Sequence, residues 1–139
     1  MNNDIRWKQR FQNLENAYAV FLRRIAEYEE FPGKEAYQMA LIQGFEIVFE
    51  LSWKTIKDYL ENDGYDEVKN GKHAIREAFK AELISDAETW MKALERRNAT
   101  SHIYNAEVLN ETTVFIHDSF YPALRTLFLK LKGYRDSVV

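Results

Sequence analysis

Apolar residues at Trp7, Phe11, Leu14, Tyr18, Phe21, Leu22, Ile25 and Tyr28 recur every three or four positions. That is the period of a helix with one face turned toward a core. The pattern stops at EFPGK, where Pro32 and Gly33 interrupt helical backbone. A second run passes through Leu41, Phe45, Val48, Phe49, Ser52, Trp53, Ile56, Tyr59 and Leu60, then meets NDG, where Gly64 suits a helix C-terminus. A shorter stretch after KNGK puts Ile75, Ala78 and Phe79 on one side. In SDAE, Ser85 and Glu88 stand at capping-box spacing, which predicts a new helix carrying Trp90, Met91 and Leu94 inward. The last periodic run extends from about Val108 through Thr112, Phe115, Ile116, Phe120, Leu124, Leu127, Phe128 and Leu131, closing at Gly133. Pro122 lies inside it and should bend it, because proline has no N–H for the carbonyl four residues back.

No segment alternates apolar and polar residues as a half-buried strand does, and no internal repeat stands out. The pattern therefore predicts an all-α fold, a four-helix up-and-down bundle with one short extra helix, as a single domain over residues 1–139.

Composition narrows the chemistry. An apolar fraction of 46% beside 29% charged residues describes a chain that packs a core. The formal net charge of -3 gives no general attraction to nucleic acid, so any RNA contact has to be local. The polar start MNNDIRWKQR and the lack of a long apolar run predict a cytoplasmic chain with no membrane partner. The absence of cysteine excludes disulfides and thiolate chemistry. His73, His102 and His117 show no paired helical spacing, so neither zinc nor another cofactor is expected.

The stretch RRNATSHIY, residues 96–104, concentrates the candidate chemistry. A helix turns roughly 100° per residue, so Arg97 and His102, five apart, point roughly 140° away from each other on one straight helix. A helix ending near Asn98 lets the following residues bring His102 back toward the guanidinium, and an extended HIY puts His102 and Tyr104 on one side. Histidine exchanges a proton near neutrality, and arginine offers a planar fork for phosphate oxygens. Together they suffice, without metal, for attack of a ribose 2′-hydroxyl on the neighbouring phosphate, with Asn98 orienting the pair and Tyr104 adding a hydroxyl and a stacking face. The same residues also fit ordinary helix-end chemistry, in which arginine complements the dipole and histidine meets terminal carbonyls.

Four stretches occur in one order: RWKQRFQNLENAYAVFLRRI, QGFEIVFELSWKTIKDYLENDGY, AIREAFKAELISDAETWMKALERRNATSHIYN and FYPALRTLFLKL. With WMKALERRNATSHIY as its most specific part, this order resembles the nucleotidyltransferase substrate-binding protein family, a branch of the HEPN superfamily that includes HepT-type toxins. The resemblance implies a dimerising four-helix bundle and a separately encoded small nucleotidyltransferase of the MntA type as partner. It also implies a metal-independent RNase site in which Arg97 stabilises phosphate, Asn98 tunes it and His102 acts as acid or base. Tyr104 then matches the tyrosine that receives adenylylation, which silences the toxin. In a homodimer or higher homo-oligomer, residues that diverge within one chain converge with their symmetry mates. A non-catalytic subunit that presents substrate to the transferase, or is its substrate, is the alternative, because fold relatives can keep a motif for binding only.

Other features have simpler readings. Glu46, Glu50 and Lys54 follow at four-residue intervals, a row expected to be a solvated face, or to line a groove beside Arg97. Trp53 and Trp90 fall on apolar stripes as core anchors, and His73 and His117 read as helix residues without special roles. The NAT and NET sequons carry no weight without a secretory signal. Arg125, Lys130, Lys132 and Arg135 complement the last helix end rather than forming a nucleic-acid patch.

Overall fold

The computed structural model describes residues 3–99 and 105–137. Among these the chain is helical without strands. Helix α1 spans Asn3–Glu30, α2 Glu35–Asn62, α3 Gly71–Lys80 and α4 Ala87–Ala99. Helix α5, Ala106–Phe115, continues through a π-helical turn, Ile116–Phe120, into α6, Tyr121–Asp136.

The stripe of α1 is buried at Trp7, Phe11, Leu14, Tyr18, Phe21, Ile25 and Tyr28, while Leu22 is exposed. At the turn into α2, the Lys34 N–H donates to the Phe31 carbonyl at 3.1 Å. A connection this short forces α2 back along α1. Arg10 Nε meets Asp58 Oδ2 at 3.0 Å, Arg6 Nη2 meets Glu61 Oε1 at 3.2 Å, and Trp7 packs edge-on to Tyr59. Asp58 is buried, so its bond from Arg10 answers a charge that water cannot reach.

Gly64 ends α2 as expected. Its φ is 95°, and the Tyr65 N–H reaches the Leu60 carbonyl at 3.0 Å while that of Gly64 reaches Glu61 at 3.3 Å, the Schellman pattern. Helix α3 closes in the same way around Glu82, a non-glycine residue at φ 60°. The buried side chain of Leu83, next in the chain, offsets that backbone strain. Phe79, expected inward, is exposed.

Two helix ends depart from expectation. Helix α4 is capped by Asp86, whose Oδ1 accepts the Thr89 N–H at 3.0 Å, one residue beyond Ser85. Helix α6 continues past Gly133 to Asp136, with Arg135 Nη1 bonded to Glu15 Oε1 at 2.8 Å and its guanidinium 4.9 Å over the Phe11 ring. At Pro122, the break in α-helical bonding takes the form of the π-helical turn just before it, in which the Tyr121 N–H reaches back to the Ile116 carbonyl. The proline thus enters at the start of α6, where its missing N–H matters least.

Helix α6 runs antiparallel to α1, stacking Phe128 on Tyr18 at 4.1 Å and setting Phe120 at 6.2 Å from Phe21. Phe120 also contacts Phe45 at 4.9 Å, Phe49 at 6.2 Å and Trp90 at 5.4 Å. It joins α1, α2 and α4 through one ring. Buried hydroxyls in this core bond their own helices, Ser52 to the Val48 carbonyl at 2.5 Å and Thr113 to that of Leu109 at 3.1 Å. Replacing Phe120 by alanine is expected to cost about 3 to 5 kcal/mol in urea unfolding, against less than about 0.5 for Val114→Ala on the exposed face. Equal losses would remove Phe120 from its central position.

Candidate functional site

Arg97 projects from the last turn of α4, whose position is set by Trp90 and Ala93 packed in the core. Its half-buried guanidinium faces α2, with Nη2 3.9 Å from Glu50 Oε2. The other Glu50 oxygen lies 3.5 Å from Lys54 Nζ. Of the row Glu46, Glu50 and Lys54, it is Glu50 that borders Arg97. Arg96 turns the other way, its guanidinium 5.8 Å from the Phe115 ring. Two adjacent cations thus reach different helices, and both sit at the negative end of the α4 dipole.

Asn98 is exposed. His102 and Tyr104 lie outside the described residues. The chain is described again at Asn105, whose Oδ1 accepts the Val108 N–H at 2.9 Å and caps α5. Arg97 and Asn98 are thereby placed on one helix end, and the sequence stretch that carries His102 and Tyr104 is bounded by α4 and a capped α5.

Next to that cap is a polar clasp that apolar periodicity does not reveal. Gln38 is buried near the start of α2, and its Nε2 donates to the Pro32 carbonyl at 3.0 Å and to Asn110 Oδ1 at 2.5 Å. One amide holds the α1–α2 turn, α2 and α5 together. Nothing in the sequence spacing announces it, since the bonded residues are 72 positions apart.

Trp90 is a core anchor, whereas Trp53 is only partly buried against the core. His73 accepts the Lys69 N–H through Nδ1 at 3.0 Å, which closes the start of α3. His117, read from sequence as unremarkable, lies in the π-helical turn between two carboxylates, with Nδ1 2.7 Å from Asp118 and Nε2 2.8 Å from Glu29. Only the neighbour Asp118 was visible in the sequence; Glu29 arrives from α1. Those bonds, Asp118 first and Glu29 second, raise the His117 pKa above its ordinary 6.5. A raised folded-state pKa stabilises the fold fully below the ordinary value, and the contribution disappears as pH rises through the raised one. The stability lost in His117→Gln should therefore be larger at about pH 5.5 than at about pH 8.5 in denaturant titrations. A difference independent of pH would show that the imidazolium makes no use of the two carboxylates.

Among the described residues, no three metal-ligating side chains come together, and no helix is long and apolar enough to cross a membrane. The available chemistry is that of a helix-end guanidinium, a bordering carboxylate and side-chain amides. A family model for proteins described as nucleotidyltransferase substrate binding protein like matches residues 9–133. A probable ribonuclease HepT of Haemophilus influenzae is 40% identical over 70 residues, covering 48% of this chain and 48% of that protein. The chain thus spans about half the length of this relative. The family match takes in most of α1, all of α2, the α4 end with Arg97 and the π-helical turn, and on that extent the chain belongs to the nucleotidyltransferase substrate binding protein like family.

Proposed function

We propose that this chain is the HEPN-type partner of a separately encoded minimal nucleotidyltransferase and a HepT-like toxin, with a metal-independent RNase site of the form R-x4-H-x-Y. In this reading residues 1–139 form one cytoplasmic domain, a four-helix bundle with α3 as the extra helix, that pairs into a homodimer. The observation that carries it is Arg97, presented half-buried from the end of α4 beside Glu50, in a chain of this family whose next residues include His102 and Tyr104.

The reaction needs no cofactor. The 2′-hydroxyl oxygen attacks the adjacent phosphorus, the bond from phosphorus to the 5′-oxygen breaks, and the products end in a 2′,3′-cyclic phosphate and a 5′-hydroxyl. His102 takes the 2′ proton, and the symmetry mate's imidazole returns one to the leaving oxygen. Arg97 leaves Glu50 to hold the nonbridging oxygens, and Asn98 orients the phosphate. Purified wild-type protein in chelator should cleave labelled RNA to cyclic phosphate ends. Folded His102→Ala and Arg97→Ala should each lose at least about a hundredfold in rate. No cleavage of varied RNAs by folded, unmodified wild type would favour the alternative, a non-catalytic substrate-binding subunit, which the family description itself supports.

Control lies in Tyr104. Its phenolic oxygen attacks the α-phosphorus of ATP in the transferase, pyrophosphate leaves and the phenolic proton is lost, so that AMP remains on the side chain. Co-expression with the transferase is expected to raise the intact mass by one or more AMP units, located at Tyr104 by peptide mapping and absent in Tyr104→Phe. Unmodified mass in the presence of active transferase and ATP would remove adenylylation from the proposal.

A further inference from the structure

One carboxylate stands between two cations at the end of α4. Glu50 Oε2 faces Arg97 Nη2 at 3.9 Å, and Glu50 Oε1 faces Lys54 Nζ, one turn further along α2, at 3.5 Å. Both contacts are longer than the roughly 2.7 to 2.9 Å of a charge-assisted hydrogen bond, so the carboxylate closes on neither cation. The next lysine of α2 differs. Lys57 is also four residues from its carboxylate, but its Nζ lies 2.5 Å from Glu61 Oε2, a direct bond.

The wider spacing around Glu50 suits a larger anion of the same charge. A phosphodiester carries one negative charge on two nonbridging oxygens, set on a tetrahedral phosphorus rather than a planar carbon. In place of the carboxylate, one of those oxygens meets the Arg97 fork and the other the Lys54 ammonium. The side chains of Arg97, Glu50 and Lys54 are 36%, 36% and 38% exposed, so an incoming phosphate reaches them and Glu50 can turn into water. Ion pairs this open hold their partners weakly, and the exchange strands no charge in the core. Lys54 also stays close to α2, its Nζ 5.9 Å from the Trp53 ring.

We propose that a phosphodiester of an RNA strand enters between Arg97 and Lys54 in place of the Glu50 carboxylate. Lys54 is then a second phosphate-binding residue, and Glu50 an internal competitor that turns aside. That the anion belongs to RNA rests on the RNase reading above.

The test measures binding of a labelled 2′-fluoro RNA, which has no 2′-hydroxyl to attack, by fluorescence anisotropy at several salt concentrations. Glu50→Gln keeps the side chain's size and removes its charge; it should tighten binding at least about threefold at low salt, a gain that misfolding cannot produce. Lys54→Gln, at wild-type helicity, should weaken binding about threefold to tenfold and flatten the slope of log affinity against log salt by roughly 0.7, and Lys54→Arg should restore both. Lys57→Gln removes a neighbouring charge already bonded to Glu61 and should cost less than about twofold. Unchanged affinity in Glu50→Gln, equal losses in Lys54→Gln and Lys57→Gln, or no binding by either wild type or Glu50→Gln overturns the subsite. Cleavage of ordinary RNA separates this subsite from the reading it rests on. Affinities that follow the variants as expected, without cleavage, uphold the subsite and reject the RNase; cleavage by wild type with affinity indifferent to Glu50 and Lys54 does the reverse.

Discussion

One aromatic ring has to satisfy three helices at once. Phe120 contacts Phe21 of α1, Phe45 and Phe49 of α2, and Trp90 of α4, and it does so from within the π-helical turn. Pro122 cannot donate to the Asp118 carbonyl, so a continuous α-helical ladder through this point is unavailable. The extra residue taken into the turn lets the chain pass from α5 to α6 with Ile116, Phe120, Leu124 and Leu127 all buried. A backbone irregularity thus serves the packing rather than opposing it.

The candidate site inherits its geometry from that cluster. Trp90 anchors α4 against Phe49 and Phe120, and Arg97 emerges two turns further along the same helix. The guanidinium reaches Glu50, the residue after Phe49 on α2. Near the start of α2, Gln38 clasps α5 through Asn110. Helices α4 and α5, both packed on the core, thus bound the stretch of sequence between them. Side chains that the core fixes decide where the polar chemistry stands.

Apolar periodicity made α1 and α2 legible because their stripes are long and their ends carry Pro32, Gly33 and Gly64. It misjudged Leu22 and Phe79, since a stripe's edge is decided by how neighbouring helices cover it and not by the spacing along one helix. The α4 cap moved from Ser85 to Asp86 because both side chains can accept an N-terminal N–H, and local spacing does not choose between them. Gly133 did not end α6, where Arg135 gains Glu15 and the Phe11 ring by continuing one turn. Arg97 and Asn98 were singled out by type and spacing. The approach of Glu50 to Arg97 and the clasp of Gln38 on Asn110 are tertiary contacts between distant positions, for which a single sequence has only a weak signal.

Charge explains why a site of this kind can be controlled locally. A chain of net charge -3 draws RNA phosphate by no broad field, and at physiological salt exposed charges act over only about 8 Å. On the proposed reading, phosphate affinity thus concentrates in Arg97, whose carboxylate neighbour is Glu50. An AMP phosphate added seven residues along the chain would bring a second anion to compete for the same fork.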